Sequence, residues 1–287
     1  MNGKKATDLT RVTSASSGNL LMVHDGSGLK AITLENLQRV INSPIENKIA
    51  PLIVTGAGAH NAIYRGKYLG SSVTNAQYNA ISSGTFDDLY IGDYWTINGV
   101  NYRIAGFDYY YRCGDNDFTK HHAVLVPDAQ LYTHCMNDTN VTEGGYVGSK
   151  MYKEGLEQAK KTIKAAFPNH VATHRIYLTN AVTNGRPSGG AWFDSEVDLM
   201  NESMLYGCRH FSPMNDGVNI PTNYTVERGQ LPLFHLAPNF IHANRATWFW
   251  LRDVVSAADF AYAAGNGFAY YTYASGARGV RPAFCIS

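Results

Sequence analysis

Apolar positions in the first fifty residues outline a small unit that cannot cover itself. Leu20-Leu21-Met22-Val23 predicts a short strand, Asp25-Gly26-Ser27-Gly28 a turn, and Leu29 to Ile32 a returning strand. Thr33 stands as an N-cap before a helix with Leu34, Leu37, Val40 and Ile41 on one face. Pro44 ends or kinks that helix, and Ile45 and Ile49 prolong its apolar stripe. A hairpin and one amphipathic helix are too small to bury such a face. It must therefore rest on the remaining chain, on sister subunits or on a larger particle. Gly56-Ala57-Gly58-Ala59 reads as a hinge, which divides the chain into 1–55 and 56–287. No Lys-Ser or Lys-Thr follows these glycines, so they do not form a phosphate loop.

Beyond the hinge, short strands outnumber helices. Thr74 to Ser82 predicts a helix, and Tyr94-Trp95-Thr96-Ile97, Asn98-Gly99 and Val100 to Ile104 form the clearest hairpin. Ala123-Val124-Leu125-Val126 is a strand stopped by Pro127. The longest helical period runs from Ser149 to Phe167. Met151, Leu156, Ala159, Ile163 and Ala166 face inward, and Lys150, Lys153, Glu157, Lys160, Lys161 and Lys164 face water. A second helix is expected from Asp194 to Tyr206, with Val197, Leu199, Met200 and Met204 as its apolar members.

The last 46 residues mix two patterns. Trp248, Trp250, Leu251, Val254 and Val255, then Val280, Ala283, Phe284 and Ile286, are expected core positions. Between them, Ala257 to Ala277 follows neither strand nor helix period, yet carries Tyr262, Phe268, Tyr270, Tyr271 and Tyr273. That is too many rings for a disordered linker. Tyr with Ser, Gly and Asn is also the composition of recognition loops, because Tyr buries much area at low entropic cost. Two readings follow: a recognition surface held by its flanks, or a tyrosine-rich β meander.

Composition narrows the function classes. Charged residues are only 16% of the chain and the net charge is +1, so no basic excess points to nucleic acid. No apolar run reaches the ~18 residues of a membrane span, and the N-terminus lacks a signal-peptide core, so synthesis and assembly in a cytoplasm are expected. Cys113, Cys135, Cys208 and Cys285 are widely spaced and are expected as buried free thiols. His121-His122 near Asp115 and Asp117 could suggest a metal, but adjacent strand residues point to opposite faces. One buried and one exposed histidine is the expected arrangement. There is no GxSxG or HExxH, and Glu196 and Asp198 are expected to be solvated on a helix. Arg252 and Arg281 are expected to hold the framework, and no catalytic residue or cofactor is assigned.

WFWLRD at 248–253, FAY at 260–262 and GVRPAF at 279–284 resemble the C-terminal signature of C-type-lectin-like domains in phage proteins, especially those diversified by retroelements. FDDLYIGDYWTINGVNYRIA, HHAVLVPD and GQLPLF are similar to the same group. SGNLLMVHDGSGLKAITLENLQRVI resembles the attachment segment that opens many phage tail-fibre proteins, which commonly trimerise. The resemblance implies an α+β chain: a small hairpin and helix attachment segment, then a C-type-lectin-like (formylglycine-generating-enzyme-like) domain. It implies a variable ligand-binding face drawn from Phe249, Asp259, Tyr262, Ala264, Asn266, Phe268, Tyr270, Tyr271, Tyr273, Gly276 and Arg278. The implied role is adhesion of a virion to a bacterial surface receptor, protein or glycan, by a homotrimer joined to other virion proteins. No enzyme activity, nucleic-acid partner or membrane insertion is implied. The calcium-site motifs EPN, QPD and WND are missing, which removes the basis for calcium-mediated sugar binding, and Cys285 has no cysteine partner nearby for formylglycine-type chemistry. A structural capsid or fibre decoration and a virion-associated enzyme of the lectin-like superfamily stay open as rivals.

Overall fold

In a computed structural model of the chain, the residues described are 20–24, 29–33, 35–37, 56–213, 229–242 and 248–287. The chain divides into two compact units, Met1–Val54 and Thr55–Ser287. In the first, β1 (Leu20–His24) pairs antiparallel with β2 (Leu29–Thr33). Thr33 Oγ1 accepts the Asn36 N–H at 3.1 Å, as an N-cap does, and residues 35–37 are helical. The turn at 25–28 and the remainder of the expected helix, with Leu34, Val40, Ile41, Pro44, Ile45 and Ile49, lie outside the described residues.

The second unit is mixed α+β, mostly sheet with a few short helices. Its first strands are β3 (Tyr68–Gly70), β4 (Tyr94–Ile97), β5 (Val100–Phe107), β6 (Ala123–Pro127) and β7 (Tyr132–His134). A long hairpin follows, β8 (His174–Thr183) and β9 (Arg186–Ser195), and then β10 (Val197–Leu199). The last strands are β11 (Phe249–Val254), β12 (Asp259–Ala263), β13 (Ala269–Tyr273), β14 (Arg278–Val280) and β15 (Pro282–Ile286). The helices are α1 (Ala57–His60), α2 (Asn75–Ser82), α3 (Gly145–Gly148), α4 (Glu157–Ala166), α5 (Glu202–Tyr206) and α6 (Pro232–Leu236).

Two sheets form the frame. One has the order β10-β15-β6-β5-β4-β3, the other β13-β12-β11-β14-β7. β6 and β15 are buried along their whole length, which explains their unbroken apolar runs. Phe167, at the end of α4, meets Tyr102 at 5.0 Å and Phe284 at 5.3 Å, which fixes that helix against the six-stranded sheet. A single residue, Arg281, separates β14 in one sheet from β15 in the other. Its buried guanidinium donates to the Pro127 carbonyl at 2.8 Å and the Phe240 carbonyl at 2.9 Å, and lies 5.0 Å from the Phe249 ring centre. Desolvation lowers its pKa to about 10. Arg281 is thus the expected framework arginine, a carbonyl-binding staple at the corner between the sheets.

Several elements differ from the sequence pattern. The expected helix from Asp194 to Tyr206 is instead the end of β9, then β10, and only one short helix, α5. Asn201 Oδ1 caps α5 by accepting the Met204 N–H at 2.7 Å, so the helix starts there and not at Asp194. Asp198 is not solvated: it is buried, takes the Tyr146 hydroxyl at 2.9 Å and the Ser195 hydroxyl, and burial raises its pKa. Glu196 pairs with Lys164 at 2.7 Å. The helical stretch ending at Ala166 is broken by a wide turn over Met151–Gly155, where the Tyr132 hydroxyl donates to the Gly155 carbonyl and accepts the Ala159 N–H at 3.2 Å. Met151, Leu156, Ala159 and Ile163 are buried as expected.

Candidate recognition face

The β12–β13 hairpin carries the exposed rings, and its backbone is tightly specified. Gly267 closes the turn with φ 88° and donates its N–H to the Ala264 carbonyl at 2.8 Å. Any side chain there would be strained, and its Cβ would run into His242. Ala264 N–H donates to the Phe268 carbonyl, and Ala274 N–H to the Ala258 carbonyl, both at 2.8 Å. Bonded pairs alternate along an antiparallel ladder, so Tyr270 and Thr272 turn their main-chain groups toward β12. Ala269, Tyr271 and Tyr273 turn theirs away.

Register sorts the side chains. Trp250, Tyr262 and Tyr270 stand opposite one another across three strands and share a face, while Tyr271 pairs with Ala261 and Tyr273 with Asp259 on the other. The rings form a chain. Trp248 to Tyr262 is 5.9 Å between centres, Tyr262 to Tyr270 6.0 Å, Tyr270 to Phe211 6.0 Å and Phe211 to Tyr271 5.0 Å. The Arg278 guanidinium sits 4.8 Å from the Trp248 ring centre and 5.4 Å from that of Tyr262. Phe211, Trp248, Phe268, Tyr270, Tyr271 and Tyr273 each keep between 39% and 67% of their surface exposed.

Buried polar bonds hold this display in place. Trp250 Nε1 donates to the His134 carbonyl at 2.8 Å, tying β11 to β7. Ser256 organises the β11–β12 turn: its hydroxyl donates to Asp259 at 2.5 Å and accepts the Ala258 N–H at 3.1 Å. Thr142 binds the Ser256 carbonyl at 2.8 Å, and the Ser275 hydroxyl donates to Asn140 at 2.6 Å, so the neighbouring loop braces the β11–β12 turn and the adjoining C-terminal end of β13. The buried Glu202 carboxylate accepts the N–H groups of His210 at 3.0 Å, Phe211 at 3.1 Å and Ser212 at 3.1 Å. That clamp places Phe211 against Tyr270 and Tyr271. The Glu202 N–H donates to Asp253 at 2.7 Å, and burial, with the Glu202 charge beside it, pushes the Asp253 carboxyl up to about 7.

The structure brings together most of the expected face and corrects part of it. Asn266, Phe268, Tyr270, Tyr271 and Tyr273 are exposed; Asp259, Ala264, Gly276 and Arg278 are half-buried. Phe249 is not on the face: it is 1% exposed and lies under the Arg281 guanidinium. Tyr262 is also buried, because Trp248, Tyr270 and Arg278 cover its ring; burial raises its pKa and Arg278 partly opposes this. Trp248, expected in the core with Trp250 and Phe284, is exposed instead, one residue before β11 begins. Phe211 is an unforeseen member of the ring chain. Nothing in the irregular stretch around it marks it in the sequence.

Chemistry elsewhere is spent on structure. His122 is buried and its Nε2 accepts the Tyr110 N–H at 3.0 Å, while Asp108 holds His121 Nδ1 at 2.7 Å. Asp115 is engaged by Arg175 at 2.7 Å. Among the described residues, no group of three or more His, Cys, Asp or Glu could hold a metal ion. All four thiols are free; Cys113 and Cys285 are buried, but Cys208 is exposed and Cys135 half-buried, against the expectation of burial. No described helix is long and apolar enough to cross a membrane. No protein-family model, curated protein or solved structure matches the chain.

Proposed function

We propose that this chain is a phage virion protein whose second unit, a C-type-lectin-like domain, binds a bacterial surface receptor through the exposed rings of the β12–β13 hairpin. One observation carries the reading: the hairpin holds Phe268, Tyr270, Tyr271 and Tyr273 in water, with exposed Phe211 against Tyr270 at 6.0 Å and Tyr271 at 5.0 Å, beside a strand, β12, that is buried but for its first residue. Contiguous exposed aromatic surface on a folded domain marks a place where a partner sits. The role is adhesion without catalysis and without a cofactor. The first unit serves as attachment and trimerisation segment, and a trimer on a particle gains avidity with no new contacts.

A second exposed group, Ile63, Tyr64 and Tyr68, favours a different use of surface rings, namely packing between sister subunits in a structural decoration. Adsorption separates the two. The purified full chain is applied to a panel of bacterial strains beside a Trp248→Ser/Phe268→Ser variant. Selective binding that the variant loses supports the receptor reading. Adsorption to no strain, with tyrosines shielded in an oligomer, transfers support to the decoration reading.

A further inference from the structure

We infer that the partner of this face is a polypeptide, taken as an extended segment that adds a sixth strand beside β13. The inference rests on the receptor-binding reading and names the class of receptor. Among the described residues β13 is the outer strand of its sheet, and its register with β12 is unbroken over five residues. The ladder turns the main-chain groups of Ala269 and Tyr271 outward, and neither residue makes a hydrogen bond on that side among the described residues. A row of unpaired N–H and C=O groups is a template for another strand.

Two further observations point the same way. Soluble proteins protect such edges with short strands, Lys, Pro or bulges. The other outer strands of the two large sheets, β3, β7 and β10, are three residues long. β13 is longer, and Ala-Tyr-Tyr-Thr-Tyr carries no charge and no proline. Rings also flank the edge on both faces, Tyr270 on one and Tyr271 with Tyr273 on the other. An added strand would find side-chain contacts above and below its main-chain bonds. A sugar, by contrast, stacks on one ring face and needs no edge amides.

The test selects displayed random short peptides on the full chain. Selected peptides are expected to slow amide exchange at Ala269 and Tyr271 by about tenfold or more, with little change at Tyr270 and Thr272, whose amides already face β12. Ala269→Pro removes one outward N–H without removing a ring, at a site where an edge strand tolerates proline. It is expected to weaken peptide binding about tenfold, the size of one main-chain bond, while Ala269→Ser stays within about twofold. The exchange measurement uses the unaltered chain, so a misfolded proline variant leaves the test intact. Failure to select any peptide, or a selected peptide that leaves Ala269 and Tyr271 unprotected, overturns the inference. So does a surface glycan that binds the unaltered and Ala269→Pro chains equally, although the receptor-binding reading then stands. Peptide capture without adsorption to any bacterial cell would instead sink the receptor reading alone.

Discussion

β12 and β13 lie side by side, have five residues each, and draw on the same few residue types, yet one is interior and the other is surface. β12, Asp-Phe-Ala-Tyr-Ala, buries every residue but the first; β13, Ala-Tyr-Tyr-Thr-Tyr, buries none. Position in the sheet decides this. β12 is covered by strands on both sides, and among the described residues β13 has a neighbour on one side only. Rings on β12 therefore contribute to stability, whereas rings on β13 contribute little until something binds. The structure places exposed rings one strand away from a buried support.

The sharpest way to break this contrast is to attack the support. Trp250 is fully buried, faces Tyr262 across the ladder and donates to the His134 carbonyl. Trp250→Ala is expected to cost ~3–5 kcal/mol through lost transfer energy and a cavity. A urea melt measures it; an unchanged midpoint would mean that inside and outside are assigned the wrong way round. The next effect joins support to display. Glu202→Gln keeps the shape but replaces a charged acceptor of three N–H groups. A loss of about 1.5–3 kcal/mol is expected, together with weaker adsorption, because Phe211 loses its anchor beside Tyr270 and Tyr271. Stability loss with full adsorption would remove Phe211 from the face.

The same contrast explains what the sequence could show. Buried strands were legible where apolar residues run together, as in Ala123 to Val126, and where a turn dipeptide sits between alternating segments, as at Asn98-Gly99. Asn184-Gly185 closes the β8–β9 hairpin with two positive φ values as well, 51° and 72° against 51° and 79° at Asn98-Gly99, but Pro187, Ser188, Gly189 and Gly190 after it hide the alternation. Val197, Leu199, Met200 and Met204 suggested a helix because so few apolar positions fit either period. The burial of Val197 and Leu199 depends on β15 alongside, which local spacing does not contain. For the face, the richness in Tyr was visible but the cover was not. Trp248 and Trp250 share a strand parity, and only the point where overlying residues stop makes one surface and the other core. Glu202 and Phe211 lie nine residues apart and meet through a backbone clamp that no motif announces.

Protonation gives a smaller, graded test of the support. Burial lowers His174 to about 3 and His122 to about 4 from 6.5. The unfolded chain takes up these protons as pH falls below 6.5 and the folded chain does not, so each histidine costs up to about 1.4 kcal/mol per pH unit on the way down. Asp253 acts in the opposite sense. Its carboxyl is raised from 3.8 to about 7, so its contribution is lost as pH rises through that window. The variants isolate each sign. His174→Phe is expected to gain on the unaltered chain as pH falls from 6.5 toward 4, whereas Asp253→Asn gains as pH rises from 4 toward 7. Urea melts at three or four pH values measure both, and gains that run the other way would contradict the buried placement of these groups.

The smallest stability change carries the central claim, that display and support are separable. Tyr270, Tyr271 and Tyr273 are replaced together by Ser, and the full chain is examined by a thermal melt and by adsorption to a strain that binds the unaltered protein. Stability is expected to stay within about 1 kcal/mol, because exposed positions seldom matter more, while adsorption falls sharply, because aromatic anchors carry most of a binding energy. A large loss of stability would show that these rings belong to a packed interior or a subunit interface, and unchanged adsorption on a stable fold would place the receptor site elsewhere on the chain.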